Sequence, residues 1–306
     1  MFFSFFKRQI KPYDTGFLPI LDGHEIFYSQ YGNPKGKVVL SFHGGPGGAS
    51  KSKHVHHFDL KKYRVILFDQ RGCGCSLYQE RLKNNTTQET LKDALRLLDY
   101  LDIRGKIIVA GGSWGSTLAL LFAQKYPECV SKLVLNSIFL AGSTDYEWMS
   151  KTSRLFYPDF IDKFYEETKG KNLSHYTYQL LQSGKKRDHE TALKGYGSYE
   201  RLLGDVNPQL PCGPFTEEDM NYPSIFFHYD ANDYFIKPDQ ILKETPKIAH
   251  IPTLIFHNRL DMNCPLQNAW DLHNALPKSK LCIIPSRGHG SKLMFDTMTK
   301  ELRERL

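Results

Sequence analysis

The chain of 306 residues is 41% hydrophobic and 24% charged, with a formal net charge of +7. That balance excludes a disordered chain, and the length predicts one large domain carrying an insertion, or two domains. Basic residues are scattered, with short clusters such as Lys185-Lys186-Arg187 and no long tract, so no nucleic-acid partner is expected.

In chain order, Met1 to Phe6 is a short apolar stretch followed by Lys7 and Arg8. A secretory leader has its charges first and a longer apolar core, and no later run approaches a membrane span, so no membrane association is expected. Residues 17–21 and 24–31 flank Asp22-Gly23 and predict a hairpin. Residues 38–42 and 63–68 are continuous apolar runs and predict buried strands. A helix is predicted over 87–101, where Thr86 and Glu89 make a capping box and Leu91, Leu95, Leu98 and Leu101 share one face. Residues 107–109 predict another buried strand, followed by an apolar helix that stops at Pro127, then a strand over 133–138. Strands apolar on both faces, alternating with helices, predict an α/β fold with a mostly parallel sheet covered on both sides.

From about residue 140 to 250 the buried strands disappear, and aromatic and charged residues such as Trp148, Phe156, Tyr176 and Tyr196 dominate. This stretch is read as a helical cap inserted into the core, giving core residues 1–139, cap 140–250 and core 251–306. The α/β rhythm then resumes, with strands over 253–257 and 280–284, a helix over 265–276 and a final helix to the end. Cys73, Cys75, Cys129, Cys212, Cys264 and Cys282 are widely spread without zinc spacing, and are expected to be free thiols in a reducing cytoplasm. His54, His56 and His57 have no carboxylate pair nearby and are expected to be solvated. No metal or cofactor is expected.

The chemistry concentrates at strand ends. Gly111-Gly112-Ser113-Trp114-Gly115 has the pattern G-x-S-x-G between a predicted strand and a predicted helix. A serine on such a turn projects its hydroxyl above the sheet at the positive end of a helix. Asp261 follows the strand over 253–257, and His289 follows the strand over 280–284. The order Ser, Asp, His is that of a hydrolase catalytic triad. A serine hydroxyl needs a base in contact to take its proton. An imidazole can accept that proton and pass it to the leaving group. A carboxylate fixes the imidazole tautomer and stabilises its cation. The backbone N–H groups of Gly45 and Trp114 are candidate oxyanion donors, typically worth about 3 kcal/mol each.

His43-Gly-Gly-Pro-Gly-Gly48, Asp69-Gln-Arg-Gly-Cys-Gly74, Gly111-Gly-Ser-Trp-Gly-Ser116 and the stretch from Asp261 to Trp270 together resemble the prolyl iminopeptidases. These are α/β-hydrolases that release N-terminal proline from peptides. The likeness is dense over about 13–140 and 251–290, and thin through the cap. It implies the triad Ser113, Asp261 and His289, with oxyanion donors Gly45 and Trp114. It also implies a proline pocket at Phe139, Phe235 and Cys264, and short peptides with N-terminal proline as substrates. The family holds the substrate ammonium with two cap glutamates, by charge-assisted hydrogen bonds. The first corresponds to Glu200, whereas Ala231 stands in place of the second, so Asp230 or Asp233 is the expected substitute. Met149 and Asn136 stand where the family often has an aromatic residue and an arginine. Two alternatives stay open: a serine esterase or amidase of relaxed specificity, and a non-catalytic binding protein on a hydrolase fold. The sequence leaves the oligomeric state open.

Overall fold

Two-residue alternation within continuous apolar runs is what builds the sheet of this protein. The computed structural model describes residues 10–159, 162, 166, 173–193, 203 and 220–305. Eight strands form the main sheet: β1 (Asp14–Phe17), β2 (Phe27–Gly32), β3 (Lys37–Phe42), β4 (Tyr63–Phe68), β5 (Ile107–Ser113), β6 (Val130–Ile138), β7 (Thr253–Leu260) and β8 (Ser279–Arg287). Their spatial order is β1-β2-β4-β3-β5-β6-β7-β8. β1–β2 and β2–β4 are antiparallel, and every later pairing is parallel. Successive residues of a strand point to opposite faces. Leu40, Ile66, Val109 and Leu135 therefore enter one buried cluster, and their neighbours Val39, Val65, Ile108 and Val134 enter a second. The predicted α/β fold, with its mostly parallel sheet, is the fold observed.

Helices α1 (Thr87–Tyr100) and α2 (Trp114–Lys125) cover the first face through Leu91, Leu97, Leu118 and Phe122. The carboxyl-terminal helix Lys292–Arg305 covers the second through Met294, Met298 and Leu302, beside Val55 of the 3-10 helix Ser52–His57. Helix α1 begins as predicted, with the Thr86 hydroxyl accepting from Glu89 N–H at 3.4 Å. The Glu89 carboxylate pairs instead with Lys92 at 2.6 Å.

The hairpin turn also lies where predicted, with φ of 54° at Asp22 and 83° at Gly23. Its first strand is β1, however, earlier than the predicted 17–21, and beyond it Leu18 N–H donates to the Ile26 carbonyl at 2.9 Å and Leu21 bridges to His24. Pro19 lacks the N–H that a continuous ladder would use. Between β6 and β7 the described elements are helical and include α3 (Ser143–Ser150), α4 (Leu173–Gln182) and α5 (Asn221–Asp230). They carry a third apolar cluster, with Leu181, Phe226, Phe227 and Met149. After them come α6 (Gln240–Lys243), α7 (Leu266–Ala275) and the carboxyl-terminal helix, α8. No helix among the described residues is long and apolar enough to cross a membrane.

Candidate active site

The parallel strands β3, β5, β7 and β8 deliver their carboxyl ends to one edge, where sites form in open α/β sheets. Ser113 is the last residue of β5 and directly precedes α2. Its φ of 56° and ψ of −132° are far from the usual regions for an L-residue, a strain met where a side chain is held for function. The flanking glycines explain how the chain tolerates the turn. A Cβ on Gly111 would lie 2.1 Å from the Gly115 carbonyl oxygen, and one on Gly115 would lie 2.2 Å from that of Phe42. The Ser116 hydroxyl donates to the Ser113 carbonyl at 2.7 Å and closes the turn.

His289 Nδ1 lies 3.1 and 3.0 Å from the two carboxylate oxygens of Asp261. Asp261 is buried, and its Oδ1 also accepts from the backbone N–H of Asn263 and Cys264, each at 3.0 Å. That set orients the carboxylate before any substrate binds. The loop carrying His289 is fixed from beneath. Ser137 Oγ donates to the His289 carbonyl at 2.7 Å, and Asn258 Nδ2 donates to that of Gly288 at 2.8 Å. Ser113 and His289 line one cleft of 1390 Å³ together with Gly44 and Asn136. A Cβ on Gly44 would sit 3.4 Å from that of Ser113, so the glycine loop after β3 runs directly against the serine. Trp114 opens α2, where a backbone N–H has no intrahelical acceptor and is available to an anion.

The bracing role of the residues that hold these loops together was not legible in the sequence, where His43 and Gln70 stand only within the family motifs. Gln70 donates through its side chain to the His43 carbonyl at 2.9 Å and accepts from Trp114 Nε1 at 3.0 Å. Its own N–H donates to His43 Nε2 at 3.0 Å. His43 Nδ1 in turn donates to the Gly44 carbonyl at 2.8 Å, and burial pushes this imidazole down, so it stays neutral. Arg71 forms a buried fork on Asp93, at 2.6 and 3.1 Å. Asp69 accepts from the N–H groups of Ser50 and Cys75 at 2.7 and 2.8 Å. The DQRGCG motif is therefore a brace between the two candidate oxyanion loops, and its density of buried polar residues was the available signal. A second brace is His257, which accepts from Ile138 N–H at 3.0 Å and donates to the Cys264 carbonyl at 2.9 Å.

The predicted recognition residues are placed less uniformly. Phe139 is clamped by Ser116 Oγ on its N–H at 3.2 Å and by Thr117 Oγ1 on its carbonyl at 2.7 Å. The ring packed on Phe139 is Tyr234, at 5.1 Å between centroids, and Tyr234 also lies 5.5 Å from Trp114. Phe235 turns instead to His228 and Tyr229, at 5.2 and 5.3 Å. The cause is local, since Asp233, Tyr234 and Phe235 all have positive φ, which rotates the side chains away from an ordinary helical order. Cys264 is buried in the same apolar cluster as Phe139 and Tyr234. Met149 joins Met262 and Phe226 in the third cluster.

Asp230 accepts from the Tyr234 hydroxyl at 3.0 Å, and burial pushes its carboxyl up. Asp233 accepts from the Tyr146 hydroxyl at 2.9 Å. Neither aspartate is among the described residues lining the cleft of Ser113. Glu200 lies outside the described residues. Of the histidines at 54, 56 and 57, His54 and His57 differ from expectation in being part of the packing. Burial pushes His54 down to about 4, and His57 stacks on Phe295 at 5.3 Å and bonds Thr299 at 3.2 Å.

Residues 37–293 match the family described as the alpha/beta hydrolase fold. A proline iminopeptidase of Xylella fastidiosa is 39% identical over 92% of this chain and 93% of its own. A probable proline iminopeptidase of Leptolyngbya boryana is 38% identical over 92% and 89%, and a proline iminopeptidase of Arabidopsis thaliana is 35% identical over 92% and 76%. Among solved structures, an α/β fold family hydrolase of Bacillus anthracis superposes with a TM-score of 0.63 at 18% identity, covering 96% of this chain and 99% of its own. A probable hydrolytic enzyme of Pseudomonas aeruginosa does so with 0.65 at 17%, covering 96% and 94%. At such identities the superpositions speak for the fold alone. By sequence likeness over nearly its whole length, the chain belongs to the α/β-hydrolases and, within them, to the proline iminopeptidase family.

Proposed function

We propose that the protein is a serine aminopeptidase that releases N-terminal proline from short peptides, with Ser113, His289 and Asp261 as its triad. The observation that carries the chemistry is the oriented Asp261–His289 pair opening on the same cleft as a strained Ser113. Proline as the released residue rests on the likeness to the proline iminopeptidases. His289 Nε2 takes the Ser113 proton as Oγ attacks the proline carbonyl carbon. The carbonyl oxygen becomes an anion facing the N–H groups of Gly45 and Trp114. The C–N bond then breaks, and His289 gives its proton to the departing peptide nitrogen. Water, losing a proton to His289, hydrolyses the prolyl ester and restores Ser113.

Phe139, Tyr234 and Cys264 supply the apolar surface for the pyrrolidine ring, with Phe235 turned to Tyr229. Glu200 is assigned the substrate ammonium on the family likeness. Asp230 and Asp233 are held by tyrosine hydroxyls, which favours Glu200 over either. Residues 140–250 form the cap and residues 1–139 and 251–306 the core that it interrupts. Cys73, Cys75 and Cys129 are free thiols, which fits a reducing cytoplasm.

The test compares a proline arylamide, its N-acetylated form and a short acyl ester on the purified protein. The proposal expects turnover of the free-amine arylamide and at least about a hundredfold loss on acetylation, because acetylation removes a charge-assisted partner. Equal rates with and without the acetyl group would favour an esterase or amidase without an amine site.

A further inference from the structure

We infer that the cleft of Ser113 continues beyond His289 as a subsite for the leaving peptide, and that its far end takes a free C-terminal carboxylate. This rests on the aminopeptidase reading above. The peptide nitrogen that departs must lie within reach of His289 to receive its proton. The leaving chain therefore starts on the His289 side of Ser113, away from Phe139 and Cys264, neither of which lines this cleft among the described residues.

Beyond His289, Phe295, Lys300 and Arg303 of α8 also line the cleft, as do Lys53 and His57, the latter stacked on Phe295. Ala110 and Gly111 of β5 also line this cleft of 1390 Å³. The chemistry of the rim is cationic. Lys53, Lys300 and Arg303 are exposed and have no ion-pair partner among the described residues. The nearby carboxylates of Asp296 and Glu301 are already paired, with Lys292 and with Lys280 at 2.8 Å. Glu304 also reaches the rim without an ion pair, one carboxylate against three cations.

Length sets the size of the occupant. Lys300 lies eight residues beyond Lys292, about 12 Å along the helix axis. An extended peptide covers that in about four residues at roughly 3.3 Å each. A proline followed by about four residues would thus place its terminal carboxylate among these cations.

The experiment uses the full chain and four peptides: proline followed by four neutral residues, and proline followed by one, each as free acid and as C-terminal amide. Proline arylamide is assayed first. Its absence of turnover refutes the aminopeptidase reading itself, and the subsite falls with it. With turnover present, the longer free acid is expected to exceed its amide about five- to tenfold in kcat/KM at low salt, shrinking at 0.5 M salt, as exposed charges are weak and screened. The short pair is expected to show no more than about a twofold difference, its carboxylate lying several residues short of the cations. In Lys300→Glu/Arg303→Glu the longer pair is expected to reverse, with the amide preferred. That ratio is internal to each variant, so partial loss of folded protein cancels. A ratio near one in the parent enzyme, or an unchanged ratio in the variant, overturns the subsite and leaves the aminopeptidase standing.

Discussion

The two sides of Ser113 are built differently. On the core side, Gln70, His43, Asp261 and the loop of His289 are tied by hydrogen bonds that run mostly to backbone. On the side of the inserted helices, the surface is made by packed rings: Phe139 edge to face with Tyr234, Tyr234 tilted beside Trp114, and Tyr229 edge to face with Trp114 at 5.3 Å. Hydrogen-bonded loops tolerate almost no change, because a lost partner leaves a buried polar group unsatisfied. Ring packing tolerates rearrangement at modest cost, since apolar contact is not directional. The difference teaches that the chemical half is fixed by directional bonds, whereas the recognition half rests on contacts that can be rearranged.

Asp261→Asn should break the comparison most severely. It keeps the shape but presents an amide to His289 Nδ1, and kcat on a proline arylamide should fall by about 10⁴. A loss under tenfold, measured at saturating substrate, would remove Asp261 from the triad.

Asp145 tests the seam between the halves. It lies at the start of α3, accepts from Leu140 and Gly142 N–H at 3.2 Å each, and accepts from Asn268 of α7 at 2.5 Å. Burial pushes its carboxyl from 3.8 up to about 6, against the pull of those hydrogen bonds. The folded state therefore holds this proton more tightly than the unfolded chain does. Its contribution to stability is greatest below pH 4 and declines as the pH rises toward 6, by on the order of 3 kcal/mol. Asp145→Asn should remove that decline from urea unfolding midpoints measured across this window. An unaltered slope would contradict the assignment.

Gln70→Leu should weaken the chemical half without touching a reacting atom. It releases the His43 carbonyl, Trp114 Nε1 and the spacing of the two oxyanion loops. The expected loss is about 10- to 100-fold in kcat, with roughly 1–3 kcal/mol of stability. A change in KM alone would place Gln70 in substrate binding instead. The smallest effect belongs to the recognition half. Tyr234→Ala opens the face beside Phe139 and should raise KM for proline arylamide by about tenfold. Turnover of a short acyl ester should change less than about threefold. Equal losses on both substrates would show that Tyr234 supports the elbow through Trp114.

Much of the chemical half was legible in the sequence. Strand ends at Ser113, Asp261 and His289 were visible because buried strands are continuous apolar runs, and because the glycines beside Ser113 allow a turn that other residues cannot make. The roles of Gln70, Ser116, Thr117 and His257 were not legible. Each acts on the backbone of a loop distant in sequence, and a polar side chain carries no mark of the partner it will meet. The exchange of Phe235 for Tyr234 beside Phe139 was hidden for a similar reason: it depends on three consecutive left-handed residues at 233–235, none of them glycine.

The sequence by itself determined the α/β alternation, the parallel sheet, the strained serine turn and the candidate catalytic side chains. These follow from local periodicity and from steric limits on single residues. Tertiary structure alone decided that His289 meets Asp261, that one buried glutamine braces both candidate oxyanion loops, and which ring packs on Phe139 and Trp114. Those are contacts between segments up to a hundred residues or more apart, and chain proximity arises only when the two faces of the sheet are packed.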